Sequence, residues 1–281
     1  MSLPRRQRIA SRYLTTGAPT VTAHQGFATT EPPHSGPPNT LPAFRAALAA
    51  GADYLETDVY VTADDVVVIA HDRTLARLSQ KSSAAIRDLT WQQLSEILIG
   101  DEQLTGTIPR LADVLSALPD TRVGIDVKTK DAVRPLAALL GSLEEAGEDV
   151  LQRLCIASFS DRRRRATLRL LPPGVCTSAG IAQVAGFWVC TRAPYRLATL
   201  VGRLALRGVD VLQVPHARGP FTMVDRRFVR VAHALRRRVQ VWTINDAATM
   251  RQLLDMGVDG VITDRTDTAV AVLRQRTEKP R

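Results

Sequence analysis

The chain has 281 residues, 45% of them hydrophobic and 23% charged, with a formal net charge of +9. That balance is globular and excludes disorder over most of the length; length alone allows one barrel or two small domains. The cations are dispersed, and the densest runs, Arg162–Arg165 and Arg236–Arg238, read as solvated helix faces, so nucleic acid is not an expected partner.

Three cysteines, Cys155, Cys176 and Cys190, are odd in number and lack paired spacing. They argue against a disulfide framework or a zinc site and for a reducing, cytoplasmic setting. No apolar run reaches the roughly 18–20 residues that cross a bilayer, so no stable membrane insertion is expected. The arginine-bearing N-terminus has no apolar core of a secretory signal. Residues 1–18 and 277–281 are expected to be flexible ends around one domain spanning 19–276.

In chain order, the run VTAHQG opens the domain as a strand stopped by glycine. TLPAFRAALAAG (40–51) has helical spacing, with Asn39-Thr40 as N-cap and Pro42 tolerated in the first turn. Strand patterns follow at 54–61, 66–71, 122–129, 154–160, 175–180, 209–215, 239–246 and 260–264. The turn Ala63-Asp64-Asp65 is too short for a helix, so 54–61 and 66–71 form a hairpin. Helical periods fill 132–146, 161–171, 225–236, 247–256 and 267–274. TWQQLSEIL and IPRLADVL, within 78–118, read as two short helices covering one face. The stretch 181–205 reads as a helix, a loop over the site, or both. Setting the hairpin's second arm aside, eight β/α units remain, and they predict a (β/α)₈ TIM barrel. No GxGxxG opens a helix, which disfavours a doubly wound sheet.

In such a barrel, reactive groups stand at the C-terminal ends of strands. Those ends supply His24, Glu56, Asp58, His71-Asp72, Asp126 and Lys128. Glu56 and Asp58 are two apart and share a face, as do Asp126 and Lys128. Singly, each is an ordinary strand-edge or surface residue; together at one barrel mouth they would be costly without a charged ligand. The three carboxylates suit a hard divalent ion, Mg²⁺ or Ca²⁺. The two histidines can divide general acid and base duties, and Lys128 with the ion can neutralise a phosphate. His34, His216 and His233 have no such company, and His233 reads as surface.

The motifs AHQG, NTLPAFRAALAAGADYLETDVYVTADDVVVIAHDRTL, IPRLADVL, IDVK, SFSD, LQVP, VWTIND and GVDGVITD, in that order, resemble the glycerophosphodiester phosphodiesterases over about residues 21–268. The resemblance implies a TIM-barrel hydrolase that releases sn-glycerol 3-phosphate and an alcohol from a small glycerophosphodiester. It implies His24 and His71 as the catalytic pair, Glu56, Asp58 and Asp126 as metal ligands, Lys128 as a phosphate contact and Trp242 as a pocket aromatic. It also implies attack by the glycerol 2-hydroxyl through a cyclic intermediate. Gln25 stands where the family has arginine, Pro38 where it has glutamate, Asp126 where it has glutamate, and Asp65 at a turn glycine. Gln25 is expected to contact phosphate without a charge or a bidentate fork. Two alternatives are a phospholipase D-like (sphingomyelinase D-type) lyase giving a cyclic phosphate and a non-catalytic phosphodiester-binding barrel.

Overall fold

The computed structural model describes residues 11–14, 19–27, 36–100, 104–219 and 221–278. His34 and Lys279 therefore lie outside the described residues. Eight strands, rich in β-branched residues, form the barrel: β1 (Thr20–His24), β2 (Tyr54–Val61), β3 (Arg122–Val127), β4 (Leu154–Ala157), β5 (Cys176–Thr177), β6 (Val211–Pro215), β7 (Arg238–Trp242) and β8 (Gly260–Thr263). They pair in parallel in the order β5-β4-β3-β2-β1-β8-β7-β6, and a bridge between Ser178 and Val211 joins the two ends. The predicted TIM barrel is thus nearly closed.

Between the strands run α1 (Leu41–Ala49), α2 (Trp91–Ser95), α3 (Leu111–Ala117), α4 (Val133–Glu145), α5 (Asp161–Leu170), α6 (Ile181–Cys190), α7 (Tyr195–Ala205), α8 (Arg226–Ala234), α9 (Ala247–Met256) and α10 (Thr266–Glu278). The ambiguous stretch 181–205 is two helices packed on each other, α6 and α7, and only residues 181–185 of it reach the mouth. TWQQLSEIL shortens to the five residues of α2, started by a Thr90–Gln93 capping box. The tail expected from 277 is a correction: α10 continues to Glu278.

The hairpin is as expected. Residues Val67–Ile69 run antiparallel to β2, with Val59 opposite Ile69. Asp65 takes φ 59 in the turn, a conformation that Asp tolerates. The returning arm donates Ala70 N–H to Asp58 O at 3.0 Å, which delivers His71 back to the level of Asp58.

The N-terminal expectation needs correcting at residues 11–14. Tyr13 is fully buried, packs on Tyr54 with ring centroids 4.8 Å apart, and joins Cys155, Cys176 and Val211 in one apolar cluster inside the barrel. Tyr54 Oη donates to Tyr13 O at 2.6 Å, and Arg12 N–H to Gln152 O at 2.7 Å. An aromatic in a leader without periodicity gave no sign of this plug. Tyr13→Ala is expected to cost about 3–5 kcal/mol in urea unfolding. Tyr13→Phe should be near neutral, because the Tyr13 hydroxyl has no hydrogen-bond partner within the protein. An alanine variant as stable as the parent would refute the plug.

Candidate active site

Register brings the strand-end residues together. His24 on β1 is paired with Glu56 on β2, and Asp58 on β2 with Asp126 on β3. Lys128, just past β3, places Nζ 2.7 Å from Asp58 Oδ1 and 2.8 Å from Asp126 Oδ2. Those two carboxylates hold the ammonium charged far above its ordinary range, against the pull of burial. These groups and His71 line a cavity of about 700 Å³. Phe159, Ile181, Met223 and Trp242 line it too, with the Phe159 and Trp242 rings edge to face at 5.8 Å and Lys128 Nζ 5.5 Å from the centre of the Phe159 ring.

Both histidines are held alike. His24 Nδ1 is 2.7 Å from Asp264 Oδ1, and His71 Nδ1 is 2.8 Å from Asp72 Oδ1. A carboxylate only accepts, so Nδ1 carries the proton and donates in each case, which leaves Nε2 as the working atom. Asp264 is itself braced: Asn245 Nδ2 donates to its Oδ2 at 2.8 Å, while Asp264 N–H donates to Asn245 Oδ1 at 2.9 Å. Arg77 does the same for Asp72, with Nε 3.1 Å from Oδ2. Burial alone would lower the His24 pKa; the Asp264 hydrogen bond and the charges of Glu56, Asp264 and Asp58 outweigh it, and the pKa is raised.

Glu56 is not bridged by Lys128, and its nearest cation is the His24 ring, with Nε2 3.9 Å from Oε2. Burial first, then repulsion from Asp58, pushes its pKa to about 8. Asp58 is likewise raised by burial, with Lys128 opposing. Glu56 Oε2, Asp58 Oδ2 and Asp126 Oδ1 are buried with no hydrogen-bond partner in the protein. Orphaned carboxylate oxygens are the donor chemistry of a hard divalent ion, so these three residues could hold one. As they stand they do not converge into one closed ligand set: among the described residues no three His, Cys, Asp or Glu side chains form one, and Lys128 bridges two of the three.

Residues 24–268 match the model of the glycerophosphoryl diester phosphodiesterase family. The chain belongs to that family. A Mycobacterium tuberculosis protein named probable glycerophosphodiester phosphodiesterase 2 is 38% identical over 266 residues, covering 95% of each chain. Among solved structures, a glycerophosphodiester phosphodiesterase of Agrobacterium tumefaciens aligns with a TM-score of 0.69 at 23% identity, covering 90% of this chain and 99% of its own. An Oleispira antarctica phosphodiesterase, solved in complex with the product sn-glycerol-3-phosphate, aligns with a TM-score of 0.67 at 22% identity, covering 92% and 97%. At those identities the structures speak for the shared barrel.

Within this family frame, the β1 loop departs from expectation. Gln25 does not line the cavity; its Nε2 lies 3.4 Å from His24 Nε2, and its backbone is left-handed at φ 52. Thr40 sits at the N-cap of α1, but its hydroxyl donates to Pro37 O at 2.7 Å and caps nothing. Asn39 is left-handed too, at φ 62; its N–H donates to Gln25 O at 2.7 Å, and its Oδ1 accepts from Thr57 Oγ1 at 2.7 Å. The Asn-Thr pair therefore ties the loop under the active site. His233, expected on the surface, is exposed and pairs with Asp259 at 2.7 Å. Sequence reading missed Asp264, Asn245 and Asp72 as supports. Asp264 ends the strand pattern GVITD and could have been found by the same strand-end rule.

Two measurements follow from the charges. Asp264→Asn removes the group that raises His24, so NMR titration of the His24 ring should give a lower pKa; an unchanged value would contradict the pairing. For Glu56 the fold favours the neutral carboxyl. Stability is therefore complete at low pH and is lost as pH rises from the unfolded value of about 4.3 through the folded one. In buffer free of divalent ions, Glu56→Gln should leave the unfolding midpoint unchanged at about pH 4 and raise it above pH 8. A gain confined to low pH would reverse the assignment.

Proposed function

We propose that the chain hydrolyses glycerophosphodiesters to sn-glycerol 3-phosphate and an alcohol by two-histidine acid/base chemistry, assisted by Mg²⁺ or Ca²⁺ at Glu56, Asp58 and Asp126. The observation that carries this reading is the matched anchoring of two imidazoles at Nδ1 around a cavity that also holds Lys128. The family membership supports it, as does the sn-glycerol-3-phosphate bound by the Oleispira antarctica phosphodiesterase.

In this reading Lys128 binds a phosphoryl oxygen and gains value as charge accumulates there. His71 Nε2 takes the proton of the attacking glycerol 2-hydroxyl. His24, whose pKa is raised, gives the proton to the departing alkoxide from Nε2. Water then opens the cyclic phosphate, giving its proton to His24 while His71 returns the first proton to O2. Asp264 and Asp72 keep each ring in the tautomer that the transfer needs. When bound, a divalent ion supplies electrostatic neutralisation of the phosphate beside the three carboxylates. The apolar wall of Phe159 and Trp242 excludes water from one side of the substrate. Gln25 lies against His24 outside the cavity lining, so it carries no charge to the phosphate site where arginine would have supplied one.

The test is glycerophosphocholine hydrolysis with added Mg²⁺ or Ca²⁺, repeated after EDTA. Metal-dependent release of glycerol 3-phosphate is expected, with His24→Ala and His71→Ala each slower by about 10²–10⁴-fold. A cyclic phosphate as final product would favour the phospholipase D-like alternative. Binding without turnover across several head groups would favour the non-catalytic one.

A further inference from the structure

Helix α7 presents an apolar stripe to solvent. Its inward residues are small: Ala198 and Gly202 are buried, and a Cβ on Gly202 would stand within 3.1 Å of Leu235 and Phe187, so glycine lets the helix seat closely. Outward, Leu197, Leu200, Val201 and Leu204 recur at i, i+3, i+4 and i+7, which puts them on one face. All four are exposed, Leu200 by 66% and Leu204 by 73%. A contiguous exposed patch of this kind marks an interaction surface. None of these residues lines the catalytic cavity.

The surrounding charge identifies what covers the stripe. From Arg192 to Val209 the sequence carries four arginines, no lysine and no acidic residue. Arg196 and Arg203, at i and i+7, form one flank beside the stripe, and Arg207 follows in the turn after the helix. Among the described residues none of these three forms an ion pair. A second cavity, of about 210 Å³, lies between α7 and the end of α8 and is lined by Arg203, Arg236 and Arg237. Arg237 Nε is buried there without a hydrogen-bond partner in the protein. Three guanidinium groups around a small cavity, one with a donor unused, suit a phosphate oxygen.

We propose that this face docks on an anionic lipid surface. Helix α7 lies in the interface, its leucines enter the acyl boundary, and the Arg203/Arg236/Arg237 cavity takes a lipid phosphate. Leucines flanked by arginines are the pattern of an interfacial helix. No helix among the described residues is long and apolar enough to cross a membrane, so the chain would lie on the bilayer by this face rather than span it. A second copy fits the face poorly, because a two-fold contact would set the arginine flank against itself.

Flotation of the full chain with phosphatidylglycerol/phosphatidylcholine vesicles, against phosphatidylcholine alone, tests this. Binding only to the vesicles containing phosphatidylglycerol is expected. Leu200→Ser/Leu204→Ser should weaken it by roughly tenfold per leucine, and Arg203→Gln/Arg236→Gln by about fivefold per arginine. Circular dichroism should show both variants folded, since the substituted side chains point away from the core. Three results would each overturn the proposal. One is no binding to vesicles containing phosphatidylglycerol; a second is undiminished binding by the folded leucine variant. The third is a concentration-dependent dimer, abolished by the leucine substitutions, in a chain that ignores vesicles.

Discussion

The structure turns on negative charge gathered on β2 and at the end of β3. Asp58 and Asp126 are buried and Glu56 is mostly so, and one ammonium, Lys128, bridges the two aspartates. Low polarity strengthens each attraction and each repulsion there. Glu56, which Lys128 does not bridge, is displaced toward its neutral form, to about 8. A site so arranged is unfavourable for the fold and suited to cationic and phosphate ligands, a conflict typical of functional sites.

The supports of the histidines follow the same logic. Each ring has a carboxylate behind it, and each carboxylate has its own donor, Asn245 for Asp264 and Arg77 for Asp72. The β1 loop holds His24 by its backbone as much as by side chains. Gln25, Gly26 and Asn39 all have positive φ, and a Cβ on Gly26 would stand 2.4 Å from Phe44 Cδ1. Glycine is thus required at residue 26 by close approach as well as by conformation. The family's arginine position could change to Gln25 while the Asn39–Gln25 hydrogen bond kept the loop's course.

The barrel was legible because its signals are periodic. Alternating β-branched strands and helical segments repeat eight times, and strand-end carboxylates two apart must share a face. His24, Glu56, Asp58, His71, Asp126, Lys128 and Trp242 all reach one cavity. What stayed hidden depends on distant pairing. Tyr13 buries itself by reaching across the chain to Tyr54 and Gln152-bound backbone, and no local pattern announces such contacts. Thr40 looks like a cap from its neighbours, yet the Pro37 carbonyl captures its hydroxyl. Lys128 was read as a partner for phosphate, and its bridging of Asp58 and Asp126 needed the register of two strands.

The central claim is that the charge unbalanced by Lys128 makes this barrel mouth a site for a divalent cation. Isothermal titration calorimetry of the chain with Mg²⁺ and with Ca²⁺, without substrate, tests it most directly. The account predicts one bound ion per chain, lost when Glu56 and Asp58 are made Gln and Asn. Absence of binding, or binding that persists unchanged in that double variant, would contradict it.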